Sequence, residues 1–216
     1  MTTFVLDGRG LKKQFNRRTI FHDLDLRLAS HEALAIVGRN GSGKSTLSKI
    51  IAGVLSLSGG EVTLARNGER IREEAQLEHV GFVAPYLQMY GEFSAWEHLV
   101  LFRKIRGATA SDEELAALLL RVGLLGRKDH EVRVYSSGMK QRLKYACALL
   151  HRPHLLILDE PMSNLDHEGV EMVLALMQEQ LATGMLVVST NEERDTQFCG
   201  KTIDLNVFSD REGRAR

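Results

Sequence analysis

The sequence predicts an α/β fold: a strand–loop–helix core with an N-terminal β-subdomain, interrupted by a helical segment. Three observations carry this. An apolar run, Ala33–Val37, leads into a glycine-rich loop and then a helix-like stretch. A second apolar run, Leu155–Leu158, ends in Asp159-Glu160. Between them, from about residue 86 to 150, the periodicity becomes helical.

The elements follow in order. Phe4-Val5-Leu6 reads as a short strand, and Leu24, Leu26 and Leu28 alternate with period two as another. Ala33–Val37 is apolar throughout, as suits a buried strand. Leu47, Ile50 and Ile51 give one face of a helix over 45–52. Ser58-Gly59-Gly60 predicts a turn, Glu61–Leu64 a strand, Asn67-Gly68 a hairpin turn, and His79–Val83 a further strand. In the helical part, Ser111 and Glu114 form a capping box ahead of Leu115, Leu118, Leu119 and Val122. A second helix carries Leu143, Ala146, Cys147 and Leu150 on one face, with Pro153 beyond it. Leu155–Asp159 is a strand, Val170, Val173, Leu174, Met177 and Leu181 make a helix face, and Met185–Ser189 is another strand. We read one domain over 1–216, with an α/β core and β-subdomain at about 1–85 and 151–205 and a helical subdomain at about 86–150.

Lysine plus arginine equals aspartate plus glutamate at 28 each, which argues against a dedicated nucleic-acid or anionic-membrane binder. No apolar run approaches the roughly 18 residues of a membrane span, so no direct membrane insertion is expected. Met1-Thr2-Thr3-Phe4 lacks the charge and apolar run of a signal peptide. Two cysteines, Cys147 and Cys199, have no metal spacing and fit a reducing, cytoplasmic setting, with Cys147 in a core. The eight histidines show no metal spacing either, so surface or core roles are expected.

Residues 38–46 read G-R-N-G-S-G-K-S-T, a complete G-x-x-x-x-G-K-[ST] phosphate loop. Gly38, Gly41 and Gly43 let the backbone turn tightly, and the N–H groups of Asn40 to Thr46, Ser42 included, can point at an anion. Lys44 can reach the β- and γ-phosphates, and the Ser45 hydroxyl can hold Mg²⁺. The later strand delivers Asp159 beside the metal, with Glu160 next to it to polarise an attacking water. Together these expect ATP and Mg²⁺ as ligands. A P-loop kinase or GTPase is disfavoured, since no guanine-reading N-K-x-D is present.

Tyr135-Ser136-Ser137-Gly138-Met139-Lys140-Gln141-Arg142 follows the phosphate loop and precedes Asp159. With these three segments the chain resembles the ATP-binding subunits of ABC transporters, over roughly residues 4–205. The family signature reads L-S-G-G-Q, and Y-S-S-G-M here keeps Ser136 and Gly138. The resemblance implies a P-loop NTPase core with an antiparallel β-subdomain and a helical signature subdomain. It implies that Ser136, Ser137 and Gly138 cap the γ-phosphate of ATP held by the other subunit of a head-to-tail homodimer. An ordinary serine helix cap is the alternative. Ser163-Asn164-Leu165-Asp166 resembles the D-loop, and Phe15 stands where the family stacks an aromatic on adenine, the alternative being a core residue.

Two positions depart from the family. The glutamine expected after the strand at 79–84 is Pro85, with Gln88 a possible substitute, and the expected switch histidine is Asn191, after Thr190. An asparagine can hydrogen-bond a phosphate but carries no charge, so hydrolysis rate is put in doubt more than binding. The resemblance further implies a separate transmembrane permease, with the chain peripheral on the inner face of the membrane. Phe82, Tyr86, Tyr90, Phe93, Trp96 and Phe102 lie where the family receives the permease's coupling helix, and about half of them are expected to pack the core instead. The leading reading is therefore the ATP-hydrolysing engine of a transporter. The chain's brevity is similar to that of the cytochrome c maturation heme exporter ATPase, so a small exporter is expected. The alternative is a non-transport ABC ATPase acting as a regulatory or nucleic-acid-associated dimer.

Overall fold

The computed structural model describes residues 2–208, so Met1 and 209–216 of the expected 1–216 domain, and the signal-peptide reading at Met1, lie outside the described residues. The chain runs β1 (Phe4–Phe15), β2 (Arg18–Ala29), β3 (Ala33–Val37), α1 (Lys44–Ile51), β4 (Gly59–Arg66), β5 (Glu69–Arg70), α2 (Glu73–Gln76) and β6 (Val80–Val83). It continues through α3 (Ala95–Ile105), α4 (Asp112–Arg121), α5 (Ser137–Leu149), β7 (Leu155–Asp159), α6 (His167–Thr183), β8 (Met185–Ser189), β9 (Lys201–Asp204) and α7 (Leu205–Phe208).

Two sheets result. The first is antiparallel in the order β2-β1-β4-β5, and the second is parallel in the order β6-β7-β8-β3-β9. The N-terminal strands are much longer than the short runs expected, twelve residues each. Their alternation is broken at Gly8–Gly10, where the register of β1 against β2 shifts between Gly8 and Leu11. A bulge interrupts the sequence pattern without ending the strand. Gly59 and Gly60, expected in a turn, instead begin β4. Asn67 and Gly68 do form the β4–β5 turn, both at positive φ, as a two-residue hairpin loop requires.

The central parallel strands divide their residues between two cores. Leu156, Leu158, Leu186 and Val188 face a cluster with Leu99, Leu115, Leu143 and Val173 from α3, α4, α5 and α6. Leu155, Ile157, Met185 and Val187 face Leu47 and Ile50 of α1 and the antiparallel sheet's Phe4, Leu6 and Leu28. Burial on both faces explains why these strands read as continuous apolar runs. Each fully buried aliphatic side chain contributes roughly 1.5–3 kcal/mol, so a charge at Leu156 or Ile157 would break the fold.

The capping box at Ser111 and Glu114 is present, and an unforeseen one, Ser94 with Glu97, opens α3. The buried face of α6 is Val173, Leu176, Met177 and Gln180, while Val170, Leu174 and Leu181 are only part-buried. Cys147 is buried, as expected, and burial pushes its thiol up. No helix among the described residues is long and apolar enough to cross a membrane.

Candidate functional site

Register places the functional groups at one edge. In the parallel sheet Asp159 pairs with Ser189, and Ser189 pairs with Ile36. The loops leaving the carboxyl ends of β3, β7 and β8 therefore open side by side, where ligands bind in such sheets.

The β3 loop carries Gly38, Gly41 and Gly43 at φ values of 147, 79 and 107°, which L-side chains rarely adopt. Gly43 is the N-cap of α1, and no side chain caps that end. The first N–H groups of the helix are thus left for an anion. Lys44 is buried, and its ammonium donates to the carbonyls of Gly38 (2.8 Å) and Arg39 (3.4 Å) and to Asn191 Oδ1 (2.6 Å). The Asn191 amide nitrogen donates in turn to Asn40 Oδ1. Asn191 thereby ties the end of β8 to the β3 loop. The Ser42 hydroxyl is buried without a partner. Ser45 and Thr46 sit in the first turn of α1, both part-buried.

Asp159 is fully buried. Its Oδ2 accepts a hydrogen bond from the Tyr86 hydroxyl at 2.9 Å, and its Oδ1 has no partner. A buried carboxylate oxygen left unsatisfied is costly unless a ligand completes it. This hard oxygen suits a divalent cation such as Mg²⁺. Glu160 follows at φ 49°, its N–H bonded to Ser189 O at 2.8 Å. Burial holds its carboxyl above the usual range, helped by Asp159 and opposed by Lys44. Ser48 and Ser189 hydroxyls meet beneath the site, and the Thr190 hydroxyl donates to Asp195 Oδ2 at 2.6 Å.

The Ser136–Gly138 segment opens α5. Ser136 is its N-cap, accepting from the Met139 N–H at 3.2 Å, so the capping alternative is real, and the hydroxyl proton remains free to donate outward. A Cβ on Gly138 would stand 2.9 Å from Asn164 O, which explains the glycine: the 163–166 loop passes too close for a side chain. Asp166 accepts from Arg142 at 2.5 Å and caps α6. Ser136, Ser137, Gly138, Arg127, Asn164 and Asp166 line an open pocket of about 620 Å³ that none of residues 38–46 lines. The Ser136–Gly138 segment and the phosphate loop thus do not share this pocket.

Phe15 ends β1, is 45% exposed and has Lys13 Nζ 4.6 Å from its ring centroid, so it is no core residue. Of the six aromatics at 82–102, Tyr86, Tyr90 and Phe93 are exposed while Phe82, Trp96 and Phe102 pack against the cores. Gln88 is exposed, and the side chain that reaches Asp159 is Tyr86. Sequence reasoning singled out Tyr86 only as one of six aromatics and missed its tie to Asp159, because only the turn after β6 aims it there. Nor did spacing foretell that His79 and His154 meet, their Nδ1 atoms 3.2 Å apart, though no group of three or more ligating residues that could hold a metal occurs among the described residues.

The ABC transporter family model matches residues 21–163. The chain is 34% identical over 220 residues to the lipoprotein-releasing system ATP-binding protein LolD 1 of Caulobacter vibrioides, covering 94% of this chain and 93% of that one. It is 37% identical over 167 residues to YdbJ, an uncharacterised ABC transporter ATP-binding protein of Bacillus subtilis; that match covers 77% of this chain and 54%, about half, of YdbJ. A solved ATP-binding subunit of an ABC transporter superposes with a TM-score of 0.82 at 27% identity, over 93% of this chain and 85% of that one. The chain belongs to the ABC transporter family, as one of its ATP-binding ATPase domains.

Proposed function

We propose that the chain is the ATP-driven engine of an exporter whose membrane-spanning part is a separate permease. One observation carries the mechanism: the phosphate loop and the Ser136–Gly138 segment are both present in the chain, and the pocket that Ser136–Gly138 line includes none of residues 38–46. Two copies arranged head to tail would bring them together around ATP. Lys44 leaves its carbonyl acceptors for the β- and γ-phosphates, and the N–H groups of the loop and first turn, Asn40 to Thr46, cradle them. Phe15 stacks on the adenine. Ser45 and Asp159 would hold Mg²⁺, which would neutralise charge on the phosphates. Glu160, whose raised basicity comes from burial, takes the proton of the attacking water, and Asn191 donates its amide to the γ-phosphate. Ser136, Ser137 and Gly138 of the second copy present the positive end of α5 to the same phosphate.

The exposed Tyr90 and Phe93, rings 5.4 Å apart, offer an apolar seat for the permease. Seated there, the chain would lie on the inner face of the membrane. Similarity to a lipoprotein-releasing system ATP-binding protein supports a released cargo, and heme is the cargo proposed here. Lys44→Ala tests the reading. Removal of a charged hydrogen-bond donor worth about 1.5–3 kcal/mol should weaken MgATP binding roughly 10- to 100-fold by titration calorimetry, and equal affinity would refute the role.

A further inference from the structure

The link between β6 and the helical subdomain is built differently from the glutamine-bearing link the family resemblance implies. Pro85 offers no side-chain donor, and the next residue, Tyr86, reaches the metal carboxylate. Its hydroxyl donates to Asp159 Oδ2 at 2.9 Å, which leaves Oδ1 as the oxygen without a partner. The Tyr86 ring has two neighbours. Lys49 Nζ of α1 lies 4.1 Å from its centroid, and the Phe82 ring 6.4 Å away. These contacts and the hydrogen bond to Asp159 favour one ring orientation and so limit the ordering needed to orient the carboxylate.

The backbone of the same segment is gripped from the other side. Lys144 of α5 is buried, yet none of its hydrogen bonds goes to an anion. Its ammonium donates to Pro85 O at 2.6 Å, Ala84 O at 3.1 Å and Gln141 Oε1 at 3.2 Å. Burying a lysine on neutral acceptors alone is expensive, and a neutral side chain would pack there at lower cost. Lys144 stands less than two turns from Gly138, on the helix whose N-terminus carries the signature residues. The physical connection therefore runs from Ser136–Gly138 along α5 to Lys144, across two carbonyls to residues 84 and 85, and through the adjacent Tyr86 to Asp159.

We propose that Tyr86 is the positioning residue of the metal carboxylate and that Lys144 sets Tyr86, so that movement of α5 changes how Asp159 presents itself to a divalent cation. The proposal rests on the metal role of Asp159 given under Proposed function. Tyr86 acts through Asp159 and touches no reacting atom. The phenol donates to one carboxylate oxygen and so turns the other toward the cation. Outer-shell donors of this kind set metal affinity because a carboxylate free to rotate must be ordered when the ion binds. Mechanically, the grip of Lys144 makes the tie two-way: a bound cation would also bias the position of α5.

Tyr86→Phe removes only the hydroxyl and keeps the ring on Lys49 and Phe82, and Lys144→Met keeps the stem while removing the donors. The measurement is Mn²⁺ binding by electron paramagnetic resonance, with saturating ATP and no turnover at low temperature, beside ATP binding in EDTA and the melting temperature of each variant. Tyr86→Phe should weaken Mn²⁺ binding about 10-fold while leaving metal-free ATP binding unchanged. Lys144→Met should weaken it in the same direction, and the double variant should be no worse than Tyr86→Phe alone. Unchanged Mn²⁺ affinity in Tyr86→Phe overturns the proposal, whatever Lys144→Met does. Full affinity in Lys144→Met, or effects of the two that simply add, overturns the link between them. Should Lys144→Met fail to fold, amide hydrogen exchange at residues 84–90 of the wild type, with and without Mn²⁺ and ATP, replaces it, and no added protection there refutes the link. A wild type that binds no Mn²⁺ with ATP would instead bring down the underlying metal-site reading.

Discussion

Gly43→Ala should cost the fold far more than Gly41→Ala, for a reason visible in the packing. Both glycines sit at positive φ, 79° for Gly41 and 107° for Gly43. Such a backbone strains an alanine by about 1–3 kcal/mol at either position. The surroundings differ. A Cβ on Gly41 meets nothing within 4 Å, whereas one on Gly43 would lie 2.4 Å from Ile20 Cγ2 and 3.6 Å from Phe21 Cδ1. Ile20 and Phe21 belong to β2, so the phosphate loop is docked against the antiparallel sheet. Overpacking of this kind adds about 1–3 kcal/mol, bringing Gly43→Ala to roughly 2–6 kcal/mol against roughly 1–3 for Gly41→Ala. Ile20→Ala removes the colliding methyl. In the double variant the overpacking disappears and the strain stays, so the double-mutant cycle should show a coupling of about 1–3 kcal/mol in the sense of rescue. Urea unfolding at constant slope gives all the values. Equal costs for the two glycines, or a Gly43–Ile20 coupling of zero, would refute the claim that loop and sheet are in hard contact there.

Glu160→Gln should slow hydrolysis and trap an ATP-bound dimer through the two half-sites; a species that stays monomeric by light scattering with MgATP, alone and with its permease, contradicts the head-to-tail arrangement. Asn191→His should raise kcat with little change in ATP Kd, more so with Pro85→Gln, because a positioned imidazole stabilises developing charge better than an amide; single-turnover hydrolysis showing no gain in any restored variant would mean that Asn191 and Tyr86 already serve. Acid should destabilise the protein through its histidines. Burial holds His79 and His154 below their ordinary value and brings His151 from 6.5 to about 4. A histidine with a depressed folded pKa contributes stability that is complete above about pH 6.5 and is lost as pH falls toward 4. Screened by its partial exposure, His151 should account for about 1–2 kcal/mol of that loss. Glu160 and Asp195, raised by burial, act in the opposite sense, so the contribution is read as the difference in urea stability between wild type and His151→Gln across pH 8 to 4; a constant difference refutes it.

Local patterning alone specifies the α/β class, the phosphate loop, the strand ending in Asp159-Glu160 and two of the three helices of the insertion, α4 and α5, but not α3. Each is a local pattern: glycines at fixed offsets, alternation, a capping serine with glutamate three residues on. Leu155–Leu158 announced itself because a strand buried on both faces must be apolar at every position. The long β1 and β2 did not, because the bulge at Gly8–Leu11 shifts the register and with it the face each residue presents. Everything that makes these segments a site was decided by tertiary structure. Asp159, Ser189 and Ile36 are aligned only by strand register, and Asn191 meets Lys44 and Asn40 across more than a hundred residues. Gly138 is needed because Asn164 O passes beside it, and Tyr86 finds Asp159 because the turn after β6 aims it there. Hydrogen bonds and close approaches act over a few ångströms of space, and neighbours of that kind leave no period or spacing in the chain from which they could be read.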